Sequence, residues 1–102
     1  MKYTFKKLGF SQKRFLDFLR GNPKKVAVCQ DSYHCPLAKF VSENNDVDSV
    51  AVDGQEMTVR SGDDESYIEL PQWAQTFVKK FDALEKADKK ITFGRIQREL
   101  NL

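Results

Sequence analysis

Four segments of the chain carry apolar residues at helical spacing, and one further segment alternates as a β-hairpin does. In the first segment Phe15 and Leu19 lie on one face and Ser11 is a suitable N-cap, so we expect a helix from about Ser11 to Arg20. Gly21 and the proline two residues later predict its end, because glycine can supply a left-handed cap and proline cannot continue the hydrogen-bond ladder.

The segment "KKVAVCQ", residues 24–30, is typical of a short strand. Pro36 then suits the first turn of a second helix, because an N–H at that position would have no partner within the helix. This places Cys35 at the N-cap and predicts a short helix that ends near Asn44 and Asn45.

The longest apolar stripe belongs to a third predicted helix, which Pro71 opens. Its members follow one another at spacings of four, four and three residues: Trp73, Phe77, Phe81 and Leu84. Thr92 caps a short last helix with Phe93 and Ile96 facing inward. The pattern therefore predicts four helices.

The alternating segment, residues 47–60, contains Asp53-Gly54, a strong signal for a two-residue hairpin turn. This turn predicts three cross-strand pairs: Val52 with Gln55, Val50 with Met57, and Asp48 with Val59. One side of the ribbon then carries the apolar residues Val50, Val52, Met57 and Val59. We expect the acidic stretch 61–66 to be an exposed loop between the hairpin and the third helix.

About four helices packed on a small antiparallel hairpin or sheet make an α+β fold. A chain of 102 residues with 40% apolar content suits one compact domain, so we expect residues 1–102 to form a single domain. Residues 1–10 precede the first helical segment and are expected to be either flexible or an edge strand.

No export signal or membrane span is recognisable in the chain. The first ten residues lack the apolar run of a signal peptide, and nowhere do eighteen consecutive apolar residues occur. We therefore expect a cytoplasmic protein that does not enter membranes and keeps Cys29 and Cys35 reduced. No motif identifies a cofactor, and we predict none.

The net charge of +2 conceals a strong segregation of charge along the chain. Residues 1–25 carry a net charge of +7, residues 26–78 carry −8, and residues 79–102 carry +3. Two interpretations remain open: the basic ends pack against the acidic middle, or the surface has one basic and one acidic face. The second would favour binding to a charged partner.

Three short pieces of the chain together resemble a pattern found in short bacterial and phage-borne proteins of no known activity. They are "CPLAKF" at 35–40, "VAVDG" at 50–54 and "LPQWAQTFVKKFD" at 70–82. The resemblance implies a bacterial or phage origin. It implies no catalytic residue and no reaction.

The weak candidates for catalysis are Cys35 and His34. A thiol at a helix N-terminus can have a lowered pKa, and an adjacent imidazole can act as a base, which would suit a thiol-dependent enzyme or redox protein. Side chains of adjacent residues usually point apart, however, and helix initiation alone explains Pro36. We therefore expect Cys35 to be a buried cap rather than a nucleophile.

A metal site is not expected from the potential ligands near Cys35. Structural zinc requires four ligands, and this stretch offers only Cys29, His34 and Cys35. The run Asp63, Asp64, Glu65 lacks the alternating spacing of a calcium loop. We predict no metal and no further catalytic group.

Nucleic-acid binding is one of two binding hypotheses that the composition supports. Eight basic residues occupy the first 25 positions, among them Lys2, interleaved with Tyr3, Phe5 and Phe10, so that phosphate contacts and base stacking are both conceivable. Against this, the phenylalanines also fit a core, and the acidic middle would repel a polyanion.

Protein binding is the hypothesis we rank first. A small domain with oppositely charged faces suits rapid docking to a charged protein partner, without chemistry of its own. Such a module would be a bacterial or phage accessory protein that regulates or inhibits a host protein. The candidate contact residues form a basic cluster and an acidic cluster: Lys13, Arg14, Arg20, Asp63, Asp64 and Glu65.

Overall fold

The computed structural model describes residues 4–102, and of Phe5 it describes only the backbone. Four of its helices begin where the sequence predicts. The helices are α1 (Phe5–Leu8), α2 (Gln12–Gly21), α3 (Pro36–Asn44), α4 (Gln72–Asp82) and α5 (Phe93–Leu100). The strands are β1 (Val26–Val28), β2 (Ser49–Val52), β3 (Glu56–Ser61), β4 (Asp64–Glu69) and β5 (Lys90–Thr92). The fold is α+β, as predicted.

Three N-caps are confirmed by their hydrogen bonds. The side chains of Ser11, Cys35 and Thr92 each accept a bond from the backbone N–H three residues later. At the other end of α2 the prediction was wrong in detail, because Gly21 closes the helix without a positive φ and Asn22 is the C-cap. A left-handed glycine is not needed there, since the Asn22 N–H donates to the Leu19 carbonyl.

One helix was not predicted. Residues 5–8 form the single turn α1 where the sequence suggested an extended or irregular segment. Its carbonyl at Leu8 accepts a hydrogen bond of 3.0 Å from Nδ2 of Asn45, which ties it to the end of α3. The prediction for residues 1–3 lies outside the described residues.

The hairpin forms, but its predicted register was wrong. Val52 pairs with Met57 and Val50 pairs with Val59, which shifts each pair by two residues. Asp53 causes the shift, because its Oδ1 accepts from the N–H groups of the two residues at 55 and 56 at 2.8 and 2.7 Å and so moves the turn forward by one position. A shift of two preserves the faces, and all four predicted inward residues are buried.

The acidic stretch 61–66 contains a tight turn between two strands and is not the exposed loop that was expected between the hairpin and the third helix. A tight turn at Gly62, with φ of +59°, leads directly into β4, which pairs with β3 along its length. The meander β2-β3-β4 is therefore a three-stranded antiparallel sheet.

A second, two-stranded sheet joins parts of the chain that are far apart in sequence. The predicted strand β1 pairs antiparallel with β5, with Ala27 opposite Ile91 and both side chains buried. This pairing brings α5 onto α2, where Nε2 of Gln97 donates to the Leu19 carbonyl at 2.9 Å.

The core is built around aromatic side chains. Phe15 lies against Phe40 and Phe77, with ring centroids 5.7 and 4.8 Å away, and Phe10 stacks on Trp73 at 5.2 Å. These contacts join α2, α3 and α4 into one globule with a radius of gyration of 12.7 Å, close to the value of about 13 Å expected for a single domain of this length.

Candidate functional site

The stretch that holds both cysteines, residues 29–36, is a corner between β1 and α3 in which the two cysteines are buried; we call it the cysteine corner. Cys35 is 3% exposed, and its Sγ accepts a hydrogen bond of 3.4 Å from the Ala38 N–H. Cys29 is fully buried, and its Sγ lies 3.5 Å from the carbonyl oxygen of Phe81. Both sulfurs are thus held by backbone groups.

The electrostatics of the cysteine corner favour the protonated thiols. Burial raises the pKa of Cys35 to about 12, and the hydrogen bonds from backbone N–H groups do not offset it. Burial also raises the pKa of Cys29, with a further contribution from the negative charge of Asp82. A thiolate nucleophile would need the opposite environment, one that lowers the pKa and admits solvent.

His34 is directed towards Asp31. Its Nδ1 lies 2.9 Å from Oδ2 of Asp31, and its side chain is more than half exposed. Partial burial would raise the pKa of Asp31, but hydrogen bonds from the His34 side chain and the Tyr33 N–H hold that pKa below its ordinary value. The imidazole therefore stabilises the loop before α3 and makes no hydrogen bond to Cys35 among the described residues.

Potential metal ligands do not converge within residues 4–102. No three side chains of His, Cys, Asp or Glu in that range come close enough together to hold a metal ion. Within the same part of the chain, every helix is too short or too polar to cross a membrane.

The basic cluster of Lys13, Arg14 and Arg20 is exposed on α2, but its members do not act together. Arg14 points back over the turn at Gly9, where its Nη1 would lie 2.8 Å from a Cβ atom on that glycine. Arg20 instead lies 4.0 Å from Asp17 on its own helix. Arg14 and Arg20 thus contact different neighbours.

The two basic ends of the chain meet in space. The Gly94 N–H donates to the Pro23 carbonyl at 3.0 Å, and the Phe93 N–H donates to the Lys25 carbonyl at 2.8 Å. The backbone at residues 23–25 and 93–94 is therefore adjacent in the fold.

Ion pairs within residues 4–102 rarely cross between the charge segments. One pair, Lys25 with Glu43, links the basic first 25 residues to the acidic middle. The remaining pairs join residues of the same segment, as Arg60 and Glu65 do at 3.2 Å. Within the described range, ion pairs therefore form mainly between residues of the same segment.

The predicted acidic cluster does not form one patch. Asp63 lies in the turn before β4, and Asp64 and Glu65 are consecutive residues of that strand, so they face opposite sides of the sheet. Glu65 is on the outer side and pairs with Arg60 on β3.

The outer side of the sheet carries a different set of residues, which we call the Tyr67 face. It consists of the outward side chains of β3 and β4: Glu56, Thr58, Arg60, Glu65, Tyr67 and Glu69. Tyr67 is 63% exposed and stands opposite Thr58. The charge of Glu65 and a hydrogen bond to its carboxylate raise the pKa of the Tyr67 hydroxyl.

Two carboxylates of the Tyr67 face are direct cross-strand neighbours. Glu56 on β3 pairs with Glu69 on β4, and both side chains are exposed. No Lys or Arg among residues 4–102 forms an ion pair with either of them. Like charges directly opposite each other destabilise a sheet, so this arrangement is unfavourable in the isolated protein.

Sequence reasoning missed the Tyr67 face although a signal was present. In "DESYIE", residues 64–69, the polar residues at 65, 67 and 69 alternate with Ser66 and Ile68, the pattern of a half-buried strand. The high acid content outweighed this alternation and led to the prediction of a loop.

Comparisons with known proteins add no family to this description. No protein-family model matches the chain, and no curated protein or solved structure does so either. The resemblance to short bacterial and phage-borne proteins stays a prediction from the residues alone.

Proposed function

We propose that the protein is a small, non-enzymatic binding module whose Tyr67 face docks a basic segment of a protein partner. The observation that carries the proposal is the placement of Glu56 opposite Glu69, with no Lys or Arg of residues 4–102 paired to either, beside the exposed ring of Tyr67. A partner's Arg or Lys side chain placed between the two carboxylates would remove their repulsion.

The aromatic ring supplies the second part of the proposed recognition. Tyrosine is enriched among the residues that dominate binding energy at protein interfaces, because it buries a large ring at a small entropic cost. The face of the Tyr67 ring can also attract the same cation that the carboxylates hold. Charge and ring thus point to one partner chemistry, a basic segment.

The net charge of the Tyr67 face determines which charge its partner must carry. Three glutamates stand against the single arginine, Arg60, which already pairs with Glu65. An acidic partner would meet repulsion here, whereas a basic one gains in both encounter rate and specificity.

The other two hypotheses from the sequence receive less support. Phe10 and Phe15 are core residues and cannot stack on bases, while Lys2 and Tyr3 lie outside the described residues. A thiol-dependent reaction at Cys35 would require an accessible thiol with a lowered pKa. A regulatory or inhibitory role on a host protein is the form of function we propose; the resemblance to short bacterial and phage-borne proteins implies only the origin.

The proposal is tested by affinity capture from the protein's native cells with three immobilised forms. Wild-type protein is compared with the double variant Glu56→Lys/Glu69→Lys and with a control, Asp46→Lys, which reverses an exposed acid outside the sheet. We expect the captured partner to be lost with the double variant and retained with the control, because the variant turns the site cationic.

The captured protein must also have the predicted chemistry. Its contact segment should carry Arg or Lys, and its affinity for the double variant should fall at least about 100-fold, about 2.7 kcal/mol. A partner recovered equally with wild type and the double variant would show that the Tyr67 face is not the docking surface.

A further inference from the structure

A basic groove lies away from the Tyr67 face, between the α1–α2 turn and the end of α3. It encloses about 490 Å³, within the range of about 300–1,000 Å³ typical of small-ligand sites. Lys7, Gly9 and Arg14 form one wall, and Asn44 and Asn45 form the other. We call it the Arg14 groove.

The backbone turn at Gly9 shapes the groove. Gly9 has φ of +67°, and the Arg14 guanidinium packs over it so closely that a Cβ atom at Gly9 would lie 2.8 Å from Nη1. The opposite wall is fixed by Asn45, whose Nδ2 donates to the carbonyls of Leu8 and Val41 at 3.0 and 2.9 Å. The groove is therefore preformed.

Two cations of the groove have no carboxylate as an ion-pair partner among the described residues. Neither Lys7 nor Arg14 forms an ion pair with any residue in the range 4–102. Arg14 also stands in the first turn of α2, next to Lys13, where no acid is present and the helix dipole is positive. A bound anion would offset this concentration of positive charge.

Part of the lining of the groove is aromatic. Phe18 and Phe40 have ring centroids 5.3 Å apart, and both line the cavity beneath Arg14. An anion bound by the two cations would thus have apolar surface within reach for an attached organic group.

We propose that the Arg14 groove binds the phosphate group of a small phosphomonoester. The planar guanidinium of arginine matches a phosphate with two parallel hydrogen bonds, and lysine adds a point charge. Asp17 also lines the groove, and the negative end of the α3 dipole lies at Asn44, so both oppose the two cations. Their repulsion grows with the charge of the ligand, so a ligand with one phosphate group suits the groove better than a polyanion.

The test is a titration of the full chain, labelled with nitrogen-15, by NMR at constant ionic strength. The probes are inorganic phosphate, a nucleoside monophosphate and a single-stranded oligonucleotide without terminal phosphate. We expect saturable shifts of the Gly9 amide with the first two probes, and tighter binding of the monophosphate. Arg14→Gln and Lys7→Gln should each weaken binding about tenfold or more.

Two matched variants serve as controls. Lys13→Gln and Arg20→Gln remove exposed cations of the same helix that do not line the groove, and should change the affinity less than about twofold. Arg14→Gln keeps the Ser11 cap, since the backbone N–H is the donor, so an unchanged melting temperature excludes unfolding.

Three outcomes would overturn the proposal. They are the absence of saturable shifts at millimolar phosphate, equal weakening by all four variants, and tighter binding of the oligonucleotide than of the monophosphate. The last would assign the groove to the backbone of a nucleic acid. None of these results depends on the Tyr67 face, so this proposal and the proposed function fail or succeed separately.

Discussion

For the cysteine corner the sequence suggests reactive groups that the structure buries, whereas for the Tyr67 face the structure exposes a surface that the sequence analysis missed. The corner holds both cysteines and the single histidine of the chain, yet its thiols are buried and held by backbone groups. The β4 half of the Tyr67 face begins in a segment that resembles an ordinary acidic loop. The face nevertheless presents an exposed aromatic ring and two adjacent glutamates that form no ion pair with Lys or Arg among residues 4–102.

The difference teaches that reactive residue types indicate function only where the fold leaves them accessible. In the corner, burial raises the pKa of Cys35 to about 12, which removes its nucleophilic form at ordinary pH. On the Tyr67 face the fold places Glu56 against Glu69 at a cost in stability, and such local conflicts concentrate at functional sites. The predictions below treat the corner as structural and the face as functional.

The largest expected effect is on the stability of the corner. Leu37 is fully buried in the first turn of α3, so Leu37→Ala should lower the free energy of unfolding by about 2–5 kcal/mol through lost burial and a residual cavity. Urea unfolding measures it. The control Leu102→Ala, at a position 40% exposed, should change stability by less than about 0.5 kcal/mol.

Removing the sulfur cap should have a smaller effect. Cys35→Ala leaves the Ala38 N–H without its acceptor in a buried position, which should cost about 1–2 kcal/mol. Ser32→Ala, an exposed change in the same corner, is the matched control in thermal or urea unfolding. Equal stability of both variants would show that the sulfur cap contributes nothing.

The raised pKa of Cys35 predicts a loss of stability at alkaline pH. The unfolded thiol ionises near its ordinary value of 9.0, whereas the folded thiol keeps its proton until about pH 12. The free energy of unfolding should therefore fall as pH rises through that window, by up to about 1.4 kcal/mol per pH unit from this group. Cys35→Ser should remove this component in urea unfolding at several pH values, and identical profiles would contradict a buried neutral thiol.

The smallest expected effect on the free energy of unfolding is at the Tyr67 face, and there the substitution should stabilise the protein. Glu69→Gln removes the like-charge pair with Glu56 and should raise the free energy of unfolding by about 0.5 kcal/mol while it weakens partner binding. Asp46→Asn, an exposed acid outside the sheet, should do neither. A Glu69→Gln variant of lower stability would mean that the carboxylate is structural.

Local signals in the sequence were sufficient for most helices. Ser11, Cys35 and Thr92 were identifiable as caps because a cap acts on an N–H only three residues away. The strand pair β1–β5 was not predicted, because its partners are separated by more than 60 residues and no short-range pattern encodes such a pairing. The hairpin register failed for a local reason, the side-chain bonds of Asp53.

The candidate sites were harder to predict from the sequence than the helices. That Cys35 would cap a helix followed from Pro36, so its role in the corner was predicted. The pairing of Glu56 with Glu69 depends on the strand β4 and on its register, and neither was recognised. The Arg14 groove requires α1 to meet the end of α3, a tertiary contact that composition does not reveal.

The central claim is that function resides on the Tyr67 face and not in the cysteine corner. The most direct test measures the affinity of the captured partner for Tyr67→Ala, Cys35→Ser and Tyr33→Ala, the last removing a tyrosine of the cysteine corner that is 60% exposed. We predict a loss of at least about tenfold, about 1.4 kcal/mol, for Tyr67→Ala alone. A loss with Cys35→Ser while Tyr67→Ala binds as wild type would contradict the account.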